Sequence, residues 1–229
     1  MNNYTIPKIE KPTNGRRFAI GDIHGCANTF VKLIDRLSIS TSDQVFLLGD
    51  LINRGNDSKA VIDTVLKLQE TDFQIYPIRG NHEQSFLMAY GCGVEFFVNY
   101  LEENNADEFL DSDIEMYLDL FDGLEYCYDL GDFSVSHSEF LENEKSLYRG
   151  MSGLFSFVNF LIEDDYLTNK KQVVGHAVYT IEQIKASIKS NDKIIYLDSG
   201  CVYNEVEELG YLTALNLDTN ELIIQENID

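Results

Sequence analysis

Positive charge is scarce in this chain. Against 39 aspartates and glutamates stand only 17 lysines and arginines, a formal net charge of −22 over 229 residues. Such a surface repels nucleic-acid backbones and anionic membrane faces, which disfavours nucleic-acid binding and membrane-surface roles. It also repels phosphorylated molecules at long range, so a phosphate site has to be a local island made by metals and a few arginines. No run of 18 apolar residues occurs, which excludes a conventional membrane-spanning helix. Residues 1–15 are polar, are interrupted by Pro7 and Pro12, and lack the apolar centre of a signal peptide, so a soluble cytoplasmic protein is expected. The four cysteines, Cys26, Cys92, Cys127 and Cys201, show no C-x-x-C spacing, which argues against a structural zinc site and a disulfide framework and for reduced thiols. Linkers, low-complexity tracts and long repeats are missing as well, and one domain over 1–229 is expected, with 1–15 as a flexible or peripheral segment.

Histidine is equally rare, and what there is sits in motifs. His24 lies in Gly21-Asp22-Ile23-His24-Gly25; Asp50 opens Gly49-Asp50-Leu51-Ile52-Asn53-Arg54-Gly55; His82 lies in Arg79-Gly80-Asn81-His82-Glu83; His137 and His176 follow. Apolar runs at 16–20, 44–48 and 73–78 each end in one of the first three motifs, and the helical spacing at 27–37 and 58–68 follows the first two. Strand, loop, helix recurs, with the chemistry in the loop after the strand, where ligands gather in open α/β sheets. Residues 84–123 read as an acidic, amphipathic helical cap, without the spacing and central glycine of a calcium loop. Beyond it, strands are expected at 125–130, 133–136 (delivering His137), 172–174 (delivering His176) and 194–197, a helix at 150–162, and a closing hairpin from 211–217 and 221–225.

Asp22 and His24 are two apart between glycines, so both can turn to one ion; taken alone, a plain Gly-Asp turn explains them as well. Asp50 adds a carboxylate able to bridge two cations, Asn81 an amide oxygen, His137 and His176 imidazole nitrogens. Hard oxygens mixed with imidazoles suit manganese, with iron or zinc as alternatives, and two such ions suit phosphate ester hydrolysis.

Taken together these motifs resemble the calcineurin-like metallophosphoesterases, in particular the bacterial and phage serine/threonine phosphatases and their diadenosine tetraphosphatase relatives. The match rests on GDxHG at Gly21–Gly25, GDxxDRG at Gly49–Gly55, RGNHE at Arg79–Glu83, the strand-borne His137 and Gly175-His176. The resemblance implies an α/β sandwich of two mixed β-sheets flanked by helices. It further implies two divalent ions, one held by Asp22, His24 and Asp50, the other by Asp50, Asn81, His137 and His176, with a metal-bridging hydroxide attacking phosphorus directly. His82 corresponds to the general acid, Asn53 to the residue that orients it, and Arg54 and Arg79 to arginines at the phosphate, which Asn81 also borders. Arg149 corresponds more loosely to a further phosphate arginine, and reads equally well as a surface charge.

Three departures stand out. Asn53 replaces the family aspartate; its amide oxygen can accept a hydrogen bond from His82 but cannot stabilise an imidazolium as a carboxylate does. Ser138-Glu139-Phe140 replaces the small residues after the middle histidine. A strand continuing through 201–205 lacks the usual glycines. The leading expectation is a metal-dependent phosphatase of phosphomonoesters, foremost serine/threonine phosphoprotein. Symmetrical dinucleoside tetraphosphate hydrolysis is the alternative, and a weakly active metal-binding regulatory protein is a third reading. Cys26 and Cys201, next to these loops, are read as inert buried thiols, or as oxidation-sensitive ones if cations lower a thiol pKa.

Overall fold

A computed structural model describes residues 5–139 and 169–229. Arg149, Phe140 and the helix expected at 150–162 lie outside the described residues. One sheet holds β1 (Arg17–Ile20), β2 (Gln44–Leu47), β3 (Gln74–Pro77), β8 (Tyr211–Asn216) and β9 (Leu222–Glu226) in the order β3-β2-β1-β8-β9. The second is β4 (Cys127–Asp129), β5 (Phe133–Ser136), β6 (Lys171–Val174) and β7 (Ile194–Tyr196) in sequential order. Both sheets are mixed: β1, β2 and β3 run parallel, as do β5, β6 and β7, while β8, β9 and β4 pair antiparallel. Helices α1 (Ala27–Leu37) and α2 (Ser58–Glu70) connect the first three strands, and α3 (Asn81–Gly91), α4 (Val94–Glu103) and α5 (Ile114–Gly123) fill the acidic segment. This is the expected α/β sandwich.

Two cores explain why β1 and β2 are apolar beyond their first residues, Arg17 and Gln44. Phe18, Ile20, Val45 and Leu47 face α1, α2 and the α3–α5 cap, while Ala19, Phe46 and Leu48 face Val135, Val173, Ile195 and Leu197 of the second sheet. A sheet covered on both sides has no polar face to alternate with. Within the cap, Phe86 makes edge contacts with Phe97, Phe109 and Phe121, so these segments are pinned by aromatics, while the acids of α4 and α5 face outward. Residues 7–10 are tied down at the side: Ile9 donates to the Asp129 carbonyl at 2.9 Å and Asp129 donates to that of Pro7 at 2.9 Å.

Two details differ from the sequence reading. Residues 201–205 form turns, not a strand, because Gly200 enters the left-handed region at φ 60° and reverses the chain. Helix α6 (Ile181–Ser190) has no counterpart in that reading, although its signals are present: Thr180 and Gln183 form a reciprocal cap, Asn191 closes it in the left-handed conformation, and Ile184 is buried.

The loop before β2 carries a pH-sensitive anchor. Asp43 accepts from the Arg16 N–H at 2.7 Å, the Arg16 guanidinium at 2.7 Å and the Ser40 N–H at 2.9 Å. Burial alone would raise its pKa, but these donors outweigh it and bring it down to about 2. A carboxyl depressed on folding stabilises the fold above its unfolded pKa of about 3.9, and that contribution disappears as pH falls through about 2. Asp43→Asn is therefore expected to be less stable at neutral pH and to lose less stability than the parent between pH 4 and 2. Urea unfolding at a series of pH values measures both; parallel curves for the two proteins would remove Asp43 from this role.

Candidate metal centre

Every predicted site residue on the described chain follows the C-terminal end of a strand or opens the next helix. Asp22 and His24 follow β1, Asp50 follows β2, Asn81 and His82 begin α3 after β3, His137 follows β5 and His176 follows β6. His24, Asp50, Asn53, Arg54 and His176 all adopt positive φ, between 47° and 74°. Non-glycine residues are held in this region at a cost of about 1–3 kcal/mol each, and such strain collects at functional sites. Gly80 and Gly175 are required by close approach: a Cβ at Gly80 would lie 2.2 Å from Asp50 Oδ1, and one at Gly175 2.0 Å from Asp22 Oδ1.

Backbone carbonyls set the direction of two rings. His24 Nδ1–H donates to the Ile52 carbonyl at 3.1 Å and His137 Nδ1–H to that of Leu48 at 2.9 Å, leaving both Nε2 lone pairs facing inward. These nitrogens lie 3.7 and 3.5 Å from Asp50 Oδ2. Asn81 Oδ1 is 2.9 Å from His137 Nε2 and 3.0 Å from His176 Nδ1, and the two nitrogens are 3.0 Å apart. His137 has its proton on the other nitrogen and an amide oxygen has none, so lone pair meets lone pair. A shared cation resolves that repulsion, and the set of amide oxygen, carboxylate and imidazoles is the chemistry it would need. Ligand atoms of His24, Asp50 and His82 lie within 4.8 Å of one another, as do those of Asp50, His137 and His176; Asp50 belongs to both groups. Asp22 borders them, its oxygens accepting the His176 N–H at 3.0 and 3.1 Å.

The electrostatics agree. Burial, offset in part by Asp50, lowers the pKa of His24 to about 3 and that of His137 to about 4, so both are neutral and fit to ligate. Burial, then the charges of Asp198 and Asp50, push Asp22 far up; burial pushes Asp198 to about 6. Carboxylates crowded in this way are relieved by bound positive charge.

Asn53 does reach His82, but through the other end of its amide. Nδ2, not the oxygen, lies 2.9 Å from His82 Nδ1, and it also donates to the Tyr100 hydroxyl at 2.6 Å. Arg54 is exposed and donates to His24 Nε2 at 2.7 Å. Arg79 is turned aside, donating to Tyr126 at 2.9 Å and Gln84 at 3.1 Å and bonded to the Asp122 carbonyl. Ser138 is buried and Glu139 half-buried beyond His137. Cys26 and Cys201 are both buried, and the Cys201 thiol is pushed up by its contact with Cys26 and by burial, as an inert pair would be.

Two residues carry more than the motif reading assigns them. Glu83 accepts from the N–H groups of Gly80 (2.8 Å), Asp50 (3.1 Å), Leu51 (2.8 Å) and Ile52 (3.3 Å), bracketing the Asp50 loop to the start of α3. A glutamate three positions after Gly80 at a helix start was a usable signal. Tyr100 comes from α4, and nothing in the local sequence announces it.

A family model described as calcineurin-like phosphoesterase matches residues 16–180. Symmetrical bis(5'-nucleosyl)-tetraphosphatases are similar over part of the chain. That of Nitrosospira multiformis is 35% identical over 100 residues, 41% of this chain and 35% of the relative. That of Dechloromonas aromatica is 30% identical over 126 residues, 54% of this chain and 44% of the relative. The chain thus matches less than half the length of these curated relatives. Among solved structures, a protein serine/threonine phosphatase from Saccharomyces cerevisiae superposes with a TM-score of 0.64 at 15% identity, covering 98% of this chain and 84% of the other. A cold-active protein-tyrosine phosphatase of a Shewanella species gives 0.55 at 17%, covering 96% and 80%. These likenesses establish the shared fold. Among the described residues no helix is long and apolar enough to cross a membrane.

Proposed function

The chain belongs to the calcineurin-like phosphoesterase family, and we propose that it is a single-domain hydrolase working with two divalent metal ions held by Asp22, His24, Asp50, Asn81, His137 and His176. The observation that carries this is the convergence of Asn81 Oδ1, His137 Nε2 and His176 Nδ1 within 3.0 Å of one another beside Asp50. Bound there, manganese, or iron or zinc, would place positive charge against the phosphoryl oxygens and activate a water. His82, with Nε2 3.9 Å from Asp50 Oδ2 and its side chain 10% exposed, is positioned to hand a proton to the departing oxygen. Arg54 supplies the exposed fork for the phosphoryl group, releasing His24 Nε2 to ligate. Arg79, packed on Tyr126, supports the site from outside more than it contacts phosphate.

For the substrate we favour a dinucleoside tetraphosphate over the serine/threonine phosphoprotein that the motifs alone put first. The support is that the matched curated relatives are symmetrical tetraphosphatases, whereas the phosphoprotein phosphatase is similar in fold at 15% identity. Turnover of diadenosine tetraphosphate, a phosphoserine peptide and an aryl phosphate with manganese separates the readings. Release of two ADP from the dinucleotide at the highest kcat/KM is expected. Peptide turnover without dinucleotide turnover would return the substrate to phosphoprotein, and undiminished hydrolysis after chelation would sink the metal mechanism.

Asn53 favours a slow enzyme. Burial, followed by the charges of Arg54 and His176, lowers the His82 pKa, and an amide N–H aimed at Nδ1 opposes the imidazolium further. In Asn53→Asp a carboxylate would instead accept the Nδ1 proton and raise that pKa. His82 is then protonated, and active as an acid, to higher pH, so the basic limb of the pH–rate profile moves up and the rate at neutral pH rises on the order of tenfold. An unmoved profile at unchanged metal content would show that residue 53 does not act on the acid.

A further inference from the structure

Tyr100 stands outside the motifs and is bonded to two members of the site. Its ring packs edge-on to Phe86, with centroids 6.4 Å apart, which aims the hydroxyl at one point. There Oη lies 3.2 Å from the His82 carbonyl oxygen and 2.6 Å from the Asn53 amide. A carbonyl oxygen only accepts, so the single hydroxyl proton goes to His82 O. Whatever approaches Oη at 2.6 Å must then be a donor, which requires the nitrogen end of Asn53 there. That same nitrogen is 2.9 Å from His82 Nδ1, and an N–H pointed at a ring nitrogen demands a bare lone pair. The proton of the neutral imidazole is left on Nε2, the nitrogen nearer Asp50.

Asn53 Oδ1 is buried without a hydrogen-bond partner. An orphaned buried acceptor costs about 1–3 kcal/mol, so the amide is held in this sense rather than resting in it. The backbone around it has separate support from the end of α4: Asn104 O accepts the Arg54 N–H at 2.7 Å and Asn105 donates to the Gly55 carbonyl at 2.6 Å. Removing the tyrosine hydroxyl therefore frees the amide without releasing the loop.

We propose that Tyr100 is a positioning residue which, by fixing the orientation of the Asn53 amide, holds neutral His82 in its Nε2–H tautomer. The device depends on asparagine. An aspartate at 53 would accept from both Tyr100 and His82 and put the imidazole proton on Nδ1. The tautomer stands on hydrogen bonding alone; its consequence for proton donation rests on the role of His82 proposed above.

Nitrogen-15 NMR of histidine-labelled, zinc-loaded protein at a fixed pH where the ring is neutral tests this, with His82 assigned by comparison with His82→Asn. The parent is expected to show a pyridine-like Nδ1 and a pyrrole-like Nε2. Tyr100→Phe should shift both toward averaged values, and Asn53→Asp should reverse them. A parent with a protonated Nδ1 overturns the proposal whether or not either variant folds, and so does Tyr100→Phe retaining the parent pattern. In the same variant the N–H held against Nδ1 is released, so near neutral pH turnover of an alkyl phosphate should rise severalfold relative to that of an activated aryl phosphate, which needs little protonation. Shifted spectra with an unchanged ratio would uphold the tautomer assignment and remove His82 as the proton donor.

Discussion

Asp50→Asn is expected to lower turnover on the order of a thousandfold and to leave the protein with fewer than two bound ions. Asp50 belongs to both groups of candidate ligands, so its loss affects both ions at once. Asparagine keeps the shape but offers one oxygen, and its NH2 would point protons where a cation is needed. The fold should survive, because Oδ1 can go on accepting the His82 N–H bond made at 2.9 Å. Manganese is expected to stabilise the parent more than the variant, because the parent gains binding energy that the variant cannot. Elemental analysis and thermal unfolding with and without manganese make the measurement. A variant with two ions and full rate would end the shared-ligand reading.

Glu83→Gln is expected to cost about 2–4 kcal/mol of stability. The carboxylate is fully buried and takes four backbone N–H groups, whereas glutamine has one accepting oxygen and an NH2 that meets donors with donors. Part of the loss is returned, because burial and the neighbouring Asp50 charge already hold the Glu83 pKa up near 7. Three of those N–H groups belong to Asp50, Leu51 and Ile52, so metal affinity should fall with stability although Glu83 is not proposed as a ligand. Denaturant unfolding and a manganese titration on the same preparation test both. A stability within about 0.5 kcal/mol of the parent, the range of ordinary surface changes, would show that the bracket is dispensable.

Most of the candidate site could be read from the sequence because each proposed ligand lies just beyond a short, buried strand. Gly21-Asp22, Gly49-Asp50 and Gly80-Asn81 carry their own backbone signals, and the apolar runs before them have no polar alternation to confuse strand with loop. What escaped the reading depends on the third dimension. Tyr100 reaches Asn53 from the face of a helix whose local pattern says only that Phe97 and Leu101 are buried. Asn53 was legible as a departure, but which end of its amide meets His82 is decided by Tyr100 and cannot be inferred from residue 53. Arg79 matched a motif, yet its direction follows from Tyr126 and Asp122, which lie far along the chain. Helix α6 is recoverable from Thr180 and Gln183, and 201–205 reads as a strand because a glycine turn at 200 leaves no periodic trace.

The sheet order has a consequence for how the chain is made. β1 lies between β2 and β8, so one side of β1 is completed by a strand much later in the chain: Phe18 stands opposite Asn216 and Ile20 opposite Ala214. During synthesis at about 5–20 residues per second, β1, β2 and β3 emerge with that edge open for on the order of ten seconds or more. An unpaired, apolar strand edge is a template for pairing with another chain. A nascent polypeptide stalled before β8 is thus the stage at which this molecule is most exposed to aggregation. The aspartates and glutamates spread over the α3–α5 cap emerge within that interval and give the unfinished sheet a like-charged companion that keeps neighbouring copies apart.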